Sequence, residues 1–429
     1  MSFFSFYDNR SWNKWENRAD ESRRRLAEQQ IAPGGPGTIL KDIEAFIEFV
    51  GPDGLITKSR NASVPADRLS ELNQKISHPI ALNLKRALLR DYPNLAGLFI
   101  LLRVMDLLQL QGKRLTLCPE ALGFWRSLNP TEQYFALLEA LLFHAHSSVL
   151  GNERSREDAQ AFRPVTFFLC RLSSRWLKFD FYESSYTLAK RGDIWPWNLF
   201  LQQQLGLIDI RSAEFSEKER QYGHNHSWLI GAARLTKWGT AIAWALREIY
   251  EQEKAKAMEE EANETAAGEG ERQLELDEPP FPPASERSET DASDGLDEDI
   301  GTDQAPEESE PAACFGVLQP VFQLYFPEWQ KVYAPPKREA PTGTHIFKVS
   351  LPQWYRGSGG VWRRLAVPPE ATLDELAGAI LDAFKFDDDH PYDFRYRDHR
   401  GRSRVYNHPF TDEGPHTTEI TIGGIELPL

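Results

Sequence analysis

At 429 residues the chain is too long for one compact core, and two or three domains are expected. Its 41% hydrophobic and 12% aromatic content is ordinary for globular protein, and no apolar run reaches the roughly 18 residues of a membrane span. The three cysteines, Cys118, Cys170 and Cys314, lie far apart; this excludes a cysteine zinc ribbon, gives no disulfide framework and points to a reducing cytoplasm.

The net charge of −15 is not spread over the chain. Residues 251–310 hold 22 Asp/Glu against 4 Lys/Arg, which leaves the remainder at +3. The folded parts therefore need not repel a polyanion.

Residues 1–36 are an aromatic and charged leading segment. Its start, "MSFFSFYDNRSWNKWENRADESRRR", lacks the basic start and apolar core of a secretory signal, and docking on the rest of the chain is expected. Residues 37–250 form an α-rich region. In "GTILKDIEAFIEFVG", Ile39, Ile43, Phe46, Ile47 and Val50 recur at helical spacing, with Gly51 as the stop. "ADRLSELNQKI" predicts a second, shorter helix.

Residues 81–128 read as helix, a break at Pro93, an apolar helix, two short strands about Gln111-Gly112, and a helix from Pro119. That order is the one of a winged helix-turn-helix. A similar tail returns at 194–250, where "GLIDI" is followed by a longer excursion and then "ARLTKWGTAIAWAL". Both share strand, wing, Arg-Leu-Thr, helix, so two winged-helix-like units are expected, with further helices between them.

The first unit carries the nucleic-acid candidates Arg86, Arg90, Arg103, Lys113, Arg114 and Arg126, each a possible phosphate contact. Its recognition-helix position, "LAGLFILLRVMDLL", is apolar and suits packing better than base reading. The pair His144/His146 falls on a helix, where positions two apart face different ways. His224/His226 in the excursion would share one side of a strand but has no third ligand nearby in sequence.

Residues 251–311 are read as a disordered acidic linker, poor in bulky apolar residues and unable to offset its ordering entropy. Residues 312–429 then form a small α+β domain. "CFGVLQPVFQLYFPEW" reads as strand or docking segment, "THIFKVSL" and "VWRRLAVPPE" as strands, "ATLDELAGAILDAFKF" as an amphipathic helix, and "DFRYRDHRG" with "RSRVYNHPF" as a hairpin. Thr372 and Glu375 stand at capping-box spacing.

This last part resembles a known family. Trp362-Arg363-Arg364, then "PPEATLDEL", then "AFKFDDDHPYDF" are similar to the plasmid pRiA4b open-reading-frame-three-like domain. The resemblance places its motif on Trp362, Arg363, Arg364, Asp389, His390 and Phe394. It implies an association with bacterial mobile elements but no established reaction. Family domains continue into a strand with an Asp-Phe-Gly-Asp-x-Trp motif, whereas here "EITIGGIELPL" ends the chain, so an incomplete domain is expected.

The stretch "FDDDHPYDF" sets three aspartates against a histidine. Asp387, Asp389 and His390 are the metal candidates, since a hard cation wants converging oxygens and an Asp–His couple can move a proton. Against this, successive side chains in an extended segment alternate in direction. Carboxylates just past a helix C-terminus also meet the unfavourable end of its dipole, so Arg363 and Arg364 are expected to offset them. No phosphate-loop, dinucleotide, nucleophile-elbow or zincin motif is present, and no cofactor is expected.

The leading expectation is a non-enzymatic binding or adaptor protein with a protein partner. The alternatives are a winged-helix DNA-binding regulator and a metal-dependent enzyme using Asp389 and His390.

Overall fold

The structure is a computed structural model that describes residues 18–57, 63–82, 84, 86–150, 162–178, 196–212, 230–252, 254–255, 315–336, 343–351, 361–387, 390–398, 400, 403–411 and 414–425. The expected linker falls almost wholly outside these residues, as do the aromatic start, the His224/His226 pair and Cys314. The chain forms two compact units, one of residues 1–247 with 309–429 and one of 248–308. In the second, residues 248–252 are helical. The first is a mixed arrangement of helices and small sheets.

Helix α1 (Ala19–Glu28) buries Ser22 and Leu26, and the Arg23 guanidinium lies 5.2 Å from the Trp244 ring centroid. The charged leading helix thus docks on the chain itself. Helix α2 (Ile39–Val50) buries the predicted stripe. A two-residue strand β1 (Leu55–Ile56) and helix α3 (Leu69–Lys75) come next.

The helix expected ahead of Pro93 is reduced to one 3-10 turn, Leu89–Asp91. Proline disfavours a helical residue before it, and Tyr92 sits at φ −111°, ψ 78°. Helix α4 (Pro93–Val104) then runs into β2 (Leu108–Gln111) and β3 (Arg114–Leu117), joined at Gly112 with φ 60°, a left-handed value that suits glycine. Beyond them lie helix α5 (Pro119–Ser127) and helix α6 (Pro130–Glu139), α6 continuing as a π turn over Ala140–His144.

The plan then repeats. In chain order come helix α7 (Phe162–Arg171), strand β4 (Leu177–Lys178), helix α8 (Pro196–Gln204), strands β5 (Ile208–Ser212) and β6 (Ile230–Leu235), and helix α9 (237–247). The sheet orders are β1-β3-β2 and β4-β6-β5, all antiparallel. In both, a short early strand pairs with the last strand and leaves the middle strand at the other edge. The shared Arg-Leu-Thr places Leu115 and Leu235 in the core. It departs at the threonine: Thr236 caps α9 by accepting from the Gly239 N–H at 2.8 Å, whereas Thr116 is still within β3.

The two halves meet through α4 and α8. All twelve residues of α4 are buried. Gly97 allows the contact: a Cβ there would lie 2.5 Å from Leu201 Cγ and 3.0 Å from the Trp197 carbonyl oxygen. Polar ties reinforce it. Buried Asp42 on α2 accepts from Thr38 Oγ1 at 2.7 Å, the Ser77 N–H at 2.8 Å and Gln204 Nε2 at 3.3 Å. Tyr134 on α6 donates to the Leu205 carbonyl and accepts from Trp238 Nε1, both at 2.7 Å.

Residues 315–333 return from the acidic segment as a strap along α6. Trp329 stacks on Phe135 at 4.4 Å with planes 6° apart, and Phe322 and Phe326 close around the same ring. Two buried carboxylates hold the strap's backbone. Glu139 accepts from the Gly316 and Leu318 N–H groups, each at 2.7 Å. Glu132 forms the capping box of α6 with Asn129 through one oxygen and accepts from the Gln330 and Lys331 N–H groups through the other.

The C-terminal module comprises β7 (His345–Ser350), β8 (Trp362–Val367), helix α10 (Leu373–Phe384), β9 (Asp393–Arg397) and β10 (Ser403–Asn407). The strands form two separate antiparallel ladders, β7–β8 and β9–β10. Val367, Leu373, Leu376, Ile422 and Ile425 form its core, with Phe347, Leu365, Phe394, Tyr396 and Tyr406 around them. Between β9 and β10, Arg400 reaches the helical part, and its Nε and Nη2 lie 3.0 and 2.9 Å from one oxygen of buried Asp106.

Candidate binding face

Helix α10 begins where its sequence says it should. Thr372 Oγ1 accepts from the Glu375 N–H, and the Glu375 carboxylate accepts from the Thr372 N–H at 2.8 Å. The helix ends at Lys385, whose φ of 56° turns the chain out of it. Beyond it Asp387 and His390 are both exposed; Asp388 and Asp389 lie outside the described residues. Among the described residues, no group of three or more His, Cys, Asp or Glu side chains is placed to hold a metal ion.

Arg363 turns to the end of α10. Its Nε donates to the Ala383 carbonyl at 3.3 Å, and its guanidinium lies 5.4 Å from the Phe384 ring centroid. A cation at the last carbonyls of a helix stabilises that end. Arg363 therefore fastens β8 to the C-terminus of α10. Phe394 packs half-buried on the module's core and edge-on to Tyr392, 6.1 Å between centroids. Tyr392 in turn bonds Asp374 of α10, which also accepts from Thr417 Oγ1 at 3.2 Å. Of the family-motif residues, Arg363 and Phe394 thus serve the fold.

Trp362 and Arg364 look the other way. In the β7–β8 register, Ser350 opposes Trp362, Lys348 opposes Arg364, and Ile346 opposes Ala366. Alternation puts these six side chains on one face, and all six are exposed, Trp362 at 48% and Ile346 at 72%. Lys348 Nζ lies 5.2 Å and the Arg364 guanidinium 5.7 Å from the Trp362 ring centroid. The sequence motif picks out Trp362 and Arg364 but misses Lys348, whose place depends on the register; the alternating pattern of "HIFKVS" was the available signal.

Arg86, Arg90, Lys113, Arg114 and Arg126 are exposed. Arg103 is only 4% exposed and donates to the Leu108 carbonyl at 3.3 Å, so it cannot join a surface that contacts phosphate. Arg114 Nη1 donates to the Asp53 carbonyl at 2.5 Å, tying the β2–β3 turn to the loop before β1. His144 is buried, its ring 4.6 Å from that of Phe315, while His146 Nδ1 bonds Ser148 Oγ at 2.6 Å. The two imidazoles are thus engaged in separate local contacts.

Among the described residues no helix is long and apolar enough to cross a membrane. No curated protein and no solved structure matches the chain. The C-terminal region, residues 345–423, matches the family described as Plasmid pRiA4b ORF-3-like protein.

Proposed function

We propose that this chain is a non-enzymatic binding or adaptor protein, connected through its C-terminal region with bacterial mobile elements. In this reading two winged-helix units form a rigid body, and the C-terminal module presents a contact face. The strand orders β1-β3-β2 and β4-β6-β5, each with a helix before the middle strand, support the winged-helix assignment.

The observation that carries the reading is the burial of α4. A DNA-reading winged helix lays the corresponding helix in the major groove. Here that helix is buried along its whole length and packs against α8, and no face is left to enter a groove. This packing supports protein contact over groove reading as the use of the body.

Affinity capture of the tagged chain from its host, with and without nuclease, tests this. Protein partners that persist after nuclease treatment are expected. Loss of every partner on treatment, or turnover of a small molecule by the purified chain, would contradict the adaptor reading.

A further inference from the structure

We propose that the outer face of the β7–β8 ladder binds single-stranded nucleic acid, with Trp362 as a stacking platform for a base and Lys348 with Arg364 as the phosphate contacts. This rests on the reading of the module as a contact surface and names what that surface takes.

Charge is the first support. The twelve residues of the two strands contain Lys348, Arg363 and Arg364 and no carboxylate. Arg363 is engaged at the end of α10. Lys348 and Arg364 stand directly opposite each other, and like charges at opposed positions destabilise a ladder. Among the described residues no carboxylate pairs with either. Their contact with the Trp362 ring offsets part of the repulsion. An anion bridging the two cations would remove the rest.

The aromatic is the second support. Trp362 is half exposed at the end of the ladder, opposite Ser350 and beside the two cations, where a large aromatic left in water forgoes the gain of burial. Among the described residues it caps no apolar cluster: the module's core is on the opposite face of the ladder, through Phe347, Leu365 and Val367. A flat ring beside paired cations is the combination by which sequence-tolerant proteins hold single strands, bases on the ring and phosphates on the cations. Duplex DNA suits the face less well, because its bases are already stacked. An acidic peptide would satisfy the cations but not use the ring plane.

The test uses the purified full chain and a fluorescein-labelled 20-nucleotide oligothymidylate, monitored by anisotropy at low and moderate salt. Wild type is expected to bind, and to bind more weakly as salt rises. Trp362→Ala should weaken binding roughly tenfold, and Trp362→Phe should restore most of it. K348E/R364E should abolish binding. These side chains are exposed, so unchanged circular dichroism is expected for every variant. Absence of binding by wild type overturns the proposal, as does an unaltered affinity in Trp362→Ala. Equal affinity for a duplex of the same length, or equal competition by polyglutamate of matched charge, also overturns it and assigns the face to phosphates alone or to an acidic protein. Any of these failures leaves nuclease-resistant capture of protein partners standing, so the two readings fail separately.

Discussion

Glu139 sits where burial penalises its charge, and this pushes its pKa from the ordinary 4.5 up to about 7, although the Gly316 and Leu318 N–H groups pull it down. A folded-state pKa above the unfolded one means that the native state holds the proton more tightly. Its stabilising contribution is fully present below pH 4.5 and is lost as pH rises through 7. The loss is on the order of 3 kcal/mol at most. Glu139→Gln, which stays neutral, should flatten this part of the profile: urea midpoints measured between about pH 4.5 and 8 should fall less steeply for the variant than for wild type. Parallel profiles would show that Glu139 is ionised throughout.

The Arg400–Asp106 pair is a second residue-scale test. Both side chains are buried, and removing one partner strands the other's charge, at a cost of about 3–5 kcal/mol. Arg400→Ala should therefore lower stability strongly, and Asp106→Asn added to it should recover part of the loss, both read from urea midpoints. This pair was invisible in the sequence. Its members are 294 positions apart, and nothing local marks either as buried. The capping pair Thr372/Glu375 was legible for the opposite reason: its geometry is settled within three residues.

At the scale of elements, the α4–α8 contact depends on Gly97. Any side chain there meets Leu201 well inside van der Waals distance. Gly97→Leu should cost at least the roughly 1–3 kcal/mol of an overpacked core, visible as a lowered thermal midpoint. The exposed Gly123 on α5 has open space around it, and Gly123→Ala should be neutral to slightly stabilising. Periodicity identified α2, α4 and α10, and the turn at Gln111-Gly112 located β2 and β3. It failed for residues 81–92, where leucines and arginines promise a helix that Pro93 and the Asp91 carboxylate, bonded to the Leu88 N–H at 2.8 Å, convert into a single turn. The module's four strands were legible one by one; their division into two ladders depends on tertiary packing that no strand pattern contains.

For the whole molecule, the strap joins what the acidic segment separates in sequence. Phe135, fully buried, meets three strap aromatics. Phe135→Ala should cost about 3–5 kcal/mol and should expose residues 315–333 to limited proteolysis before the rest of the chain. Composition set the acidic segment apart, yet it could not indicate that the residues just beyond it return to α6, because aromatic-rich text reads equally as a strand or as a docking segment. The nucleic-acid candidates show the same limit. Charge and order offered a DNA reader in residues 81–126; the apolar run of its central helix already favoured packing, and the structure supplies the partner, α8.

That burial is the point on which the adaptor reading turns, and amide hydrogen exchange with mass spectrometry tests it directly, on the full chain with and without duplex DNA. Peptides covering 93–104 and 196–204 should be among the slowest to exchange and should be unchanged by duplex. Fast exchange in either helix, or new protection of 93–104 when duplex is added, would contradict it.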